Sequence, residues 1–395
     1  MELPREWKEV KLGDVAKVTS GGTPLRSVAE YWNGNVPWVK TAQIQNSHIA
    51  LNQVDEYITE LGVSESSAKI IPAGTLLMAM YGQGKTRGQV AILDFPAAIN
   101  QACAAFNLDK TQVARDYLYQ YFLFSYEDLR AVSNSGGQQN LSADLIKKFA
   151  VTLPPLAEQT KIAETLSVWD SAIEKMEKLI GAKQGCFNNL LNELIYSPAK
   201  DGKWKLAKLG EISEMGSGDT PKSSVEEYYN GDILWVSIAD MTEQGMYISD
   251  TAKKLTKAGI ENSSAKIYPA GTVLYAMYAS IGEVSIASVD MSSSQAILGI
   301  QVGKNLRNKY LYYFLVGQKD HIKLQGQSGT QSNLNAGMVR NFDIPLPSLN
   351  KQDEIVDFLD SNMRELSLLK QQLALYKKQK QGLMQKLLTG EWRVK

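Results

Sequence analysis

The sequence is internally duplicated. Residues 66–76 (SSAKIIPAGTL) return as residues 263–273 (SSAKIYPAGTV), with 9 of 11 positions identical at an offset of 197 residues. The offset falls to 194 further along, where Gln101 corresponds to Gln295. A period near two hundred residues is far too long for a solenoid repeat, so each copy should form a domain with its own core. The repeat therefore predicts two equivalent domains that carry two equivalent sites.

Each copy divides into a mixed part and a helical part. Residues 1–155 and 201–348 combine short β-rich runs and turns with one aromatic helix, which predicts α+β domains with irregular sheets. A proline-rich hinge ends each domain, and residues 156–200 and 349–395 are then rich in helix-forming residues. The predicted fold class is α+β, with two similar domains, two helical spacers and an internal pseudo-two-fold repeat.

Apolar residues recur in both helical segments at alternating steps of four and three. Such sustained spacing predicts two long helices that bury their stripes against each other as a coiled coil, and a single asparagine on the stripe could fix the register. The alternative is a helix pair packed only on its own domains. The stripe includes Ile162, Leu166, Trp169 and Ile173 in the first segment and Leu359, Asn362, Leu366 and Leu373 in the second.

The segments that follow the two helices set their direction. Gly202-Lys203-Trp204 begins the second copy, and Gly390-Glu391-Trp392 resembles the start of a third copy cut short. If each segment continues as a strand that completes the domain at that end, the helices are antiparallel and the C-terminal segment returns to the first domain. Helices of about 35 residues would be rods about 52 Å long. Such rods suit a target with two half-sites, and DNA offers half-sites about 34 Å apart.

Composition limits the cellular setting and the kind of partner. The chain has 42 Lys and Arg against 42 Asp and Glu, whereas a protein that binds DNA alone usually has a basic excess. There is no run of about twenty apolar residues and no secretory leader, so we expect a cytoplasmic location. Cys103 and Cys186 are not equivalent in the repeat and follow apolar patterns, which predicts reduced core thiols.

These features together resemble the DNA-specificity subunit of type I restriction-modification systems. The resemblance covers essentially the whole chain. It rests on two variable domains alternating with two similar helical spacers, the P-A-G-T turn after S-S-A-K-I, the hinge followed by Leu-x-x-Gln at 156–159 and 349–352, and the K-Q-G plus T-G-E-W ending.

The resemblance implies a function and a set of partners. Residues 1–155 and 201–348 would be target-recognition domains, each of which reads one half of a split, asymmetric site in double-stranded DNA. The helical spacers would set the gap between the halves and dock two methyltransferase (modification) subunits, and through them restriction subunits. The chain itself would be no enzyme and would hold no cofactor, because S-adenosylmethionine and ATP would be used by the partners for DNA methylation and cleavage.

Polar loops at equivalent places in the two copies are the predicted DNA contacts. The loop at 81–89 combines flexible backbone with cations and amides, which suit phosphates and base edges, while its counterpart at 278–283 is shorter and has no cation. Two glycine-and-amide loops, at 135–140 and 328–333, are either DNA contacts or helix caps and turns. The candidate residues are Thr23, Arg26, Lys40, Gln43, Tyr81, Gln83, Lys85, Arg87, Gln89, Gln138, Gln139, Asn140, Lys222, Ser237, Asp240, Tyr278, Ser280, Gln331, Ser332 and Asn333.

The sequence predicts neither a catalytic nor a metal site. Residues 152–156 (TLPPL) lack both the acid or amide and the aromatic residue of an adenine methyltransferase motif, which marks them as a hinge. His48 and His321 have no neighbouring ligands at metal-binding spacing. Trp38 and Trp235 lie in repeated apolar strands and are expected in the core. A tandem binding module for a non-DNA ligand and an enzyme of unfamiliar type remain the alternatives.

Overall fold

The computed structural model describes residues 3–82, 84–134, 140–278, 280–327 and 334–394, without the side chains of 133–134 and 320–327. The chain folds into two units. Unit 1 consists of Met1–Met176 and Gln372–Lys395, and unit 2 consists of Glu177–Gln371. Each unit therefore contains part of both helical segments.

Unit 1 is built around a five-stranded sheet of order β2-β10-β7-β8-β4, beside a four-stranded sheet of order β5-β3-β9-β6 and an antiparallel pair β1-β11. The strands are β1 (Lys8–Lys11), β2 (Ala16–Ser20), β3 (Trp32–Val39), β4 (Ser47–Ile49), β5 (Tyr57–Ile58), β6 (Ile70–Ile71), β7 (Leu76–Ala79), β8 (Val90–Leu93), β9 (Ala97–Ile99), β10 (Cys103–Leu108) and β11 (Ala150–Leu153). The helices are α1 (Leu12–Val15), α2 (Glu60–Ser64), α3 (Arg115–Phe124), α4 (Tyr126–Asn134), α5 (Ala143–Lys148) and the start of α6 (Leu156–Leu191).

Unit 2 repeats this topology except at β6, whose place is taken by an isolated bridge between Tyr268 and Met291. Its strands are β12 (Leu206–Lys208), β13 (Ser213–Ser217), β14 (Tyr229–Val236), β15 (Tyr247–Ile248), β16 (Lys253–Leu255), β17 (Val273–Ala276), β18 (Val284–Ala287), β19 (Ser292–Ser293), β20 (Ile297–Val302) and β21 (Asp343–Pro345). A π-helical turn (Asn192–Tyr196) prolongs α6, and the helices that follow are α7 (Ser197–Lys200), α8 (Ile238–Gln244), α9 (Lys257–Glu261), α10 (Asn308–Gln327), α11 (Ala336–Arg340) and α12 (Leu349–Leu388). The sheets of order β13-β20-β17-β18-β15 and β16-β14-β19 match β2-β10-β7-β8-β4 and β5-β3-β9, which confirms the predicted internal repeat.

The central strands are buried on both faces, which explains why they read as continuous apolar runs. In β7, Leu76 and Met78 join one core cluster with α3, whereas Leu77 and Ala79 join a second cluster on the opposite face. A sheet covered on both sides requires this pattern rather than apolar–polar alternation. Trp38 of β3 and Trp235 of β14 are 2% and 6% exposed, so their predicted place in the core is confirmed.

The two long helices contain 36 and 40 residues, which corresponds to lengths of about 54 and 60 Å. Both lengths exceed the hydrocarbon core of a bilayer, which is about 30 Å thick. None of the helices in the described ranges, however, combines sufficient length with sufficient apolar character to span a membrane.

The apolar stripe is buried at its ends and half-buried between them. In unit 1, Ile162 and Leu166 of α6 share the main core cluster with Leu387 of α12. Beyond that cluster the rings of Trp169 and Tyr376 pack edge to face, with their centroids 5.9 Å apart. In unit 2 the opposite ends of the same helices enter the core in the same way. The pair is therefore both a coiled coil and a packed extension of each unit.

Contacts within unit 1 confirm that α6 and α12 are antiparallel. Asp170 accepts a hydrogen bond from Lys380 Nζ at 2.5 Å. Earlier on α6, Glu158 is paired with Arg393, which lies beyond the end of α12. Contacts further along α6 therefore involve residues that come earlier in α12, as in an antiparallel pair. Lys380 occupies a position of the apolar stripe and is only 8% exposed.

Asn362 makes its hydrogen bond within its own helix. Its Nδ2 donates to Phe358 O at 2.8 Å. Cross-helix polar contacts are made instead by Lys380 with Asp170 in unit 1 and by Lys183 with Glu365 in unit 2. These charged pairs, rather than the asparagine amide, link the two helices at the register that the structure shows.

A fully buried glutamine fastens the first turn of α6 to unit 1. The Oε1 atom of Gln159 accepts from Ala114 N at 2.8 Å, and its Nε2 donates to Gln112 O at 2.9 Å and Pro154 O at 2.8 Å. The amide therefore joins the hinge, the start of α3 and the start of α6. Buried polar groups that are satisfied in this way fix one arrangement of the chain.

Gln352 repeats the same bonds at the first turn of α12 in unit 2. It accepts from Arg307 N at 2.8 Å and donates to Asn305 O at 2.9 Å and Pro347 O at 3.0 Å. The Leu-x-x-Gln motif after each hinge thus has a structural role, which is to set how each long helix leaves its unit.

Replacing Gln159 or Gln352 by leucine should destabilise the protein by about 3 kcal/mol, because three backbone groups lose their partner, one of them buried and two partly buried. Gln379→Leu, on the exposed face of α12, is the matched control and should change stability by no more than about 0.5 kcal/mol. Urea denaturation measures all three. Equal stabilities for the three variants would contradict this role.

The C-terminal segment packs on unit 1 but does not form the predicted strand. Residues 391–394 have no strand pairing, although Val394 packs against the core cluster. The reason is that β1, from the other end of the chain, already pairs with β11 at that edge. In unit 2 the same edge of β21 is paired by β12, which follows α7 without a chain break.

Charge holds the C-terminal segment in place. Arg393 donates to Glu158 from Nε at 2.7 Å and from Nη2 at 2.9 Å, and Trp7 Nε1 donates to the same carboxylate at 3.2 Å. Burial raises the pKa of Glu158, but the bonds from Arg393 and Trp7 outweigh it and hold the pKa below its ordinary value. Both ends of the chain thus meet at one carboxylate.

This carboxylate should contribute to acid sensitivity. The pKa of Glu158 is lower in the folded state than in the unfolded state. The ionised carboxylate therefore stabilises the fold above about pH 4.3, and this stabilisation is lost as the pH falls through the pKa of the folded state. Glu158→Gln should therefore lower stability at pH 7 and flatten its decline below about pH 4.3. Urea midpoints from pH 7 to pH 3 test this, with the exposed Glu164→Gln as control. A decline parallel to wild type would contradict the assignment.

One cysteine prediction was wrong. Cys103 is buried in β10, as expected, and burial raises the pKa of its thiol. Cys186 is exposed, because it lies on the face of α6 that points away from the apolar stripe.

Candidate nucleic-acid interface

Three chain segments meet where β7 ends in unit 1. The N–H of Met80 donates to Ala102 O at 2.8 Å, and its carbonyl accepts from Leu141 N at 3.0 Å. In unit 2, Met277 makes the same two bonds, to Ala296 O at 2.8 Å and from Leu334 N at 3.1 Å. The backbone therefore gathers the same loops at the same sheet edge in both units.

A fourth segment joins this edge through close backbone contact. Gly21 N donates to Cys103 O at 3.2 Å, and a Cβ at Gly21 would lie 1.9 Å from Ile99 O. Only glycine fits there. The hydroxyl of Thr23 then donates to the side chain of Gln101, and Thr220 and Gln295 form the same pair in unit 2.

We call this gathering of loops the loop edge of each unit. The loop edge consists of residues 21–26, 80–89, 100–102 and 140–142 in unit 1 and of residues 218–222, 277–283, 294–296 and 334–336 in unit 2, within the described ranges.

The backbone of the 81–89 loop is held by α4. The hydroxyl of Tyr126 donates to Lys85 O, and Nη1 of Arg130 donates to Gly84 O at 2.7 Å. Gly88 N closes the loop by donating to Ala79 O at 2.9 Å. Neither α4 residue was among the predicted contacts. Their spacing of four residues was the signal available in the sequence. In the structure the guanidinium lies 5.4 Å from the ring centroid.

The predicted contacts in this loop differ in exposure. Lys85 is exposed and forms no ion pair with a described residue, and Tyr81 is 40% exposed. Arg87 and Gln89 are half-buried at the base of the loop. With the backbone held by α4, Lys85 is a cation that the loop presents to solvent. Its ammonium suits a phosphate.

The corresponding loop of unit 2 has compensated charge. Glu283 forms an ion pair with Lys319 of α10, and Gly282 N donates to Ala276 O at 3.1 Å. Tyr278, at 38% exposure, and the exposed Ser280 face solvent. The two units thus share a backbone framework but differ in the charge of the loop they display.

The loop edge of unit 2 is concave. An open pocket of about 550 Å³ is lined by Ser217, Met277, Tyr278, Gln295, Ala296, Asn335 and Ala336. Its walls include an exposed aromatic ring and an exposed primary amide. This composition can accommodate a planar group that carries hydrogen-bonding atoms.

Three predicted contacts of unit 1 lie together in a charged network. Lys40 Nζ bonds Asp55 at 2.9 Å and Glu56 at 2.6 Å, Arg26 pairs with Glu56 at 2.7 Å, and Gln43 donates to Asp55 at 2.9 Å. Hydrogen bonds from Arg26 and then Lys40 lower the pKa of Glu56. Two cations are matched by two carboxylates, so DNA would have to compete with these acids for Arg26 and Lys40.

Two predicted contacts of unit 2 cap a helix. Asp240 Oδ2 accepts from Ser237 N at 2.8 Å at the start of α8, and Oδ1 accepts from Ala252 N at 2.9 Å. Burial raises the pKa of Asp240, but the bonds from Ser237 and Ala252 outweigh it and leave the pKa below its ordinary value. At 5% exposure, Asp240 lies inside the domain rather than on a contact surface.

The remaining predicted contacts are either exposed on a loop edge or lie outside the described residues. Lys222 and Asn140 are exposed on the loop edges of their units. The helices after the two glycine-and-amide loops are capped by Ser142, which accepts from Leu145 N at 3.2 Å, and by Asn335, which accepts from Met338 N at 2.9 Å. Outside the described residues lie Gln83, Gln138, Gln139, Gln331, Ser332 and Asn333.

The titratable side chains in the described part of the chain form no metal centre. No group of three or more His, Cys, Asp and Glu side chains there could hold an ion. His48 forms a pair with Asp94, with Nδ1 2.7 Å from Oδ1. The arrangement that does stand out is a duplicated framework that presents different loops, and it defines a protein with two related recognition sites.

Comparison with known proteins identifies the family. Residues 4–184 and 201–375 each match the type I restriction modification DNA specificity domain, and the chain belongs to this family. The two matched segments correspond to the two copies of the internal repeat.

Relatives resemble the chain over its full length. A type I restriction enzyme MjaIX specificity subunit of Methanocaldococcus jannaschii is 26% identical over 421 aligned residues, covering 100% of this chain and 95% of the relative. A chain from a structural study of type I R-M complex assembly has a TM-score of 0.63 at 19% identity, covering 99% of this chain and 100% of that one. The S subunit of a type I system from M. genitalium has a TM-score of 0.58 at 16% identity, with 98% of each chain covered. These two structures share the fold.

Proposed function

We propose that this chain is the DNA-specificity subunit of a type I restriction-modification complex, which reads a split, asymmetric DNA site with one recognition domain per half. The observation that carries the proposal is the duplicated loop edge, whose backbone bonds are the same in both units and whose side chains differ. Residues 1–155 and 201–348 are the proposed recognition domains, and residues 156–200 and 349–395 are the proposed spacers. Family membership favours this function over a tandem module for a non-DNA ligand.

The two loop edges offer different chemistry to DNA. In unit 1, Lys85 and Arg87 supply positive charge for phosphates, and Thr23 and Gln89 supply polar groups for base edges. In unit 2 the loop has no such excess of charge, because Glu283 is paired with Lys319. Tyr278 and Ser280 would make the contacts there. Different loops on one framework would read different half-site sequences, and the whole site would be asymmetric.

Partners complete the activity. The chain has equal numbers of acidic and basic residues, 42 of each, so it lacks the basic excess that tight DNA binding normally requires. We propose that two methyltransferase subunits dock on the spacers and supply much of this surface, with restriction subunits attached through them. The partners would use S-adenosylmethionine and ATP, and the complex would act in the cytoplasm. This chain would select the site without making or breaking a bond.

Lys85 should act on affinity rather than on sequence choice. In the assembled complex, Lys85→Ala should weaken binding to all DNA sequences and reduce the slope of log K against log [salt] by about 0.9, because one phosphate contact is lost. Ser280→Ala at the equivalent loop is the control and should leave the slope unchanged. Salt titrations of binding to cognate and non-cognate duplexes measure both. An unchanged slope for Lys85→Ala would remove this residue from the interface.

The length of the helices should set the gap between half-sites. Duplicating residues 173–179 in α6 and 366–372 in α12 adds seven residues to each helix and preserves the four-three stripe. The added length is about 10.5 Å, or about three base pairs. The methylated motif should keep both half-sites and gain about three base pairs between them.

Sequencing of methylated DNA from cells that carry the lengthened protein tests this expectation. Insertion into α6 alone is the control, since it breaks the register and should abolish methylation. Altered half-site sequences in the double insertion would contradict the spacer role.

A further inference from the structure

The two loop edges share one exposed pair of side chains. Thr23 donates to Gln101 in unit 1, Thr220 donates to Gln295 in unit 2, and both glutamines are exposed. Around these pairs the loops differ in length and charge. Exposed positions usually tolerate substitution within about 0.5 kcal/mol, so fold stability alone gives little reason for both members of the pair to be the same in both copies.

The threonine orients each glutamine amide but uses only part of its hydrogen-bonding capacity. Its hydroxyl occupies one lone pair of the glutamine Oε1, which retains a second. Within the described residues, neither Gln101 Nε2 nor Gln295 Nε2 donates a hydrogen bond. Each unit thus presents an amide with two free N–H donors and a remaining acceptor site. Holding it in place reduces the entropy lost when a ligand binds.

An exposed tyrosine lines the same pocket as the amide in unit 2, and its equivalent in unit 1 lies on the corresponding loop edge. Tyr278 and Gln295 line the same open pocket in unit 2. In unit 1, Tyr81 follows Met80, whose N–H bonds the carbonyl of Ala102, next to Gln101. An aromatic wall next to an oriented amide suits a flat ligand whose edge carries one donor and one acceptor.

Adenine in the major groove has that edge, because its N7 accepts and its N6 amino group donates, and glutamine is one of the side chains that bind both. We propose that Gln101 and Gln295 are equivalent adenine readers, one for each half of the DNA site. This rests on the proposed function and assigns to each domain the side chain that reads its adenine. The two halves, otherwise different, share one A·T pair at the same position relative to the domain that reads it.

The loops at 81–89 and 278–283 complement this shared reader. They differ between the units and would read the positions at which the half-sites differ. The site therefore has a common element and variable elements, as the protein has a common framework and variable loops.

The test combines a protein variant with an altered base. In Gln101→Glu, the carboxylate still accepts from Thr23 but loses both N–H donors and places negative charge opposite N7. Affinity of the assembled complex for its cognate duplex should fall about tenfold to a hundredfold, in line with one bidentate base contact. Gln295→Glu should do the same for the other half. Gln53→Glu adds equal charge at an exposed position outside the loop edges and the spacers, keeps the acceptor for Ala50 N, and should have no effect.

Replacing the shared adenine of the first half by 7-deazaadenine removes N7 without touching the protein. It should weaken binding of the wild-type complex and of Gln295→Glu, but have little further effect on Gln101→Glu. Because this arm uses the wild-type protein, it remains informative if a variant folds poorly.

The outcomes separate this inference from the proposed function. A chain-dependent split motif whose halves share no A·T pair at corresponding positions would overturn the inference and leave the proposed function intact. Full affinity for 7-deazaadenine DNA, or for both glutamate variants, would do the same. Absence of any chain-dependent split motif would overturn both.

Discussion

The architecture depends on one buried amide at the start of each long helix. Gln159 and Gln352 have the same three hydrogen bonds, and each fastens a helix to the unit from which it departs. Without this bond set, the proline-rich hinge would allow many exit directions, because no continuous helix joins it to the preceding strand. A helix that leaves its unit in one fixed direction suits the proposed spacer role, which requires a set distance between the two half-sites. The apolar stripe holds the two helices together within each unit but does not set their starting direction.

Duplication explains both the similarity and the difference of the two sites. Main-chain bonds from Met80 and Met277 gather equivalent loops at equivalent sheet edges, so the framework does not depend on the identity of the loop side chains. Those side chains are consequently free to differ. One loop presents Lys85, whereas the other encloses Glu283 in an ion pair. On the proposed function, specificity would be a property of these surface side chains on a core that both units share, and one repeated domain could then read two unlike half-sites.

The sequence predicted the elements whose signals are periodic or repeated. The stripe through Ile162 and Leu166 gave the long helices, and the repeat gave two α+β units of matching topology. It failed where an outcome depended on competition between distant segments. The C-terminal segment is not a strand because β1 already occupies the available edge. Likewise, nothing local indicates that Lys40 meets Glu56, or that Asp240 turns inward to cap α8, because both contacts are made by the tertiary fold. The shared pair of Thr23 and Gln101 was visible only in part, since a short identity between copies does not show which residues touch.

The most direct test of the account is a methylation-site map of DNA from cells that contain this chain and its methyltransferase partner, compared with cells that lack only this chain. A second strain would carry residues 1–155 from a related specificity subunit. The account predicts a split, asymmetric motif that disappears without the chain and changes in one half alone after the exchange. An active methyltransferase whose motif does not depend on the chain, or an exchange that changes both halves, would contradict it.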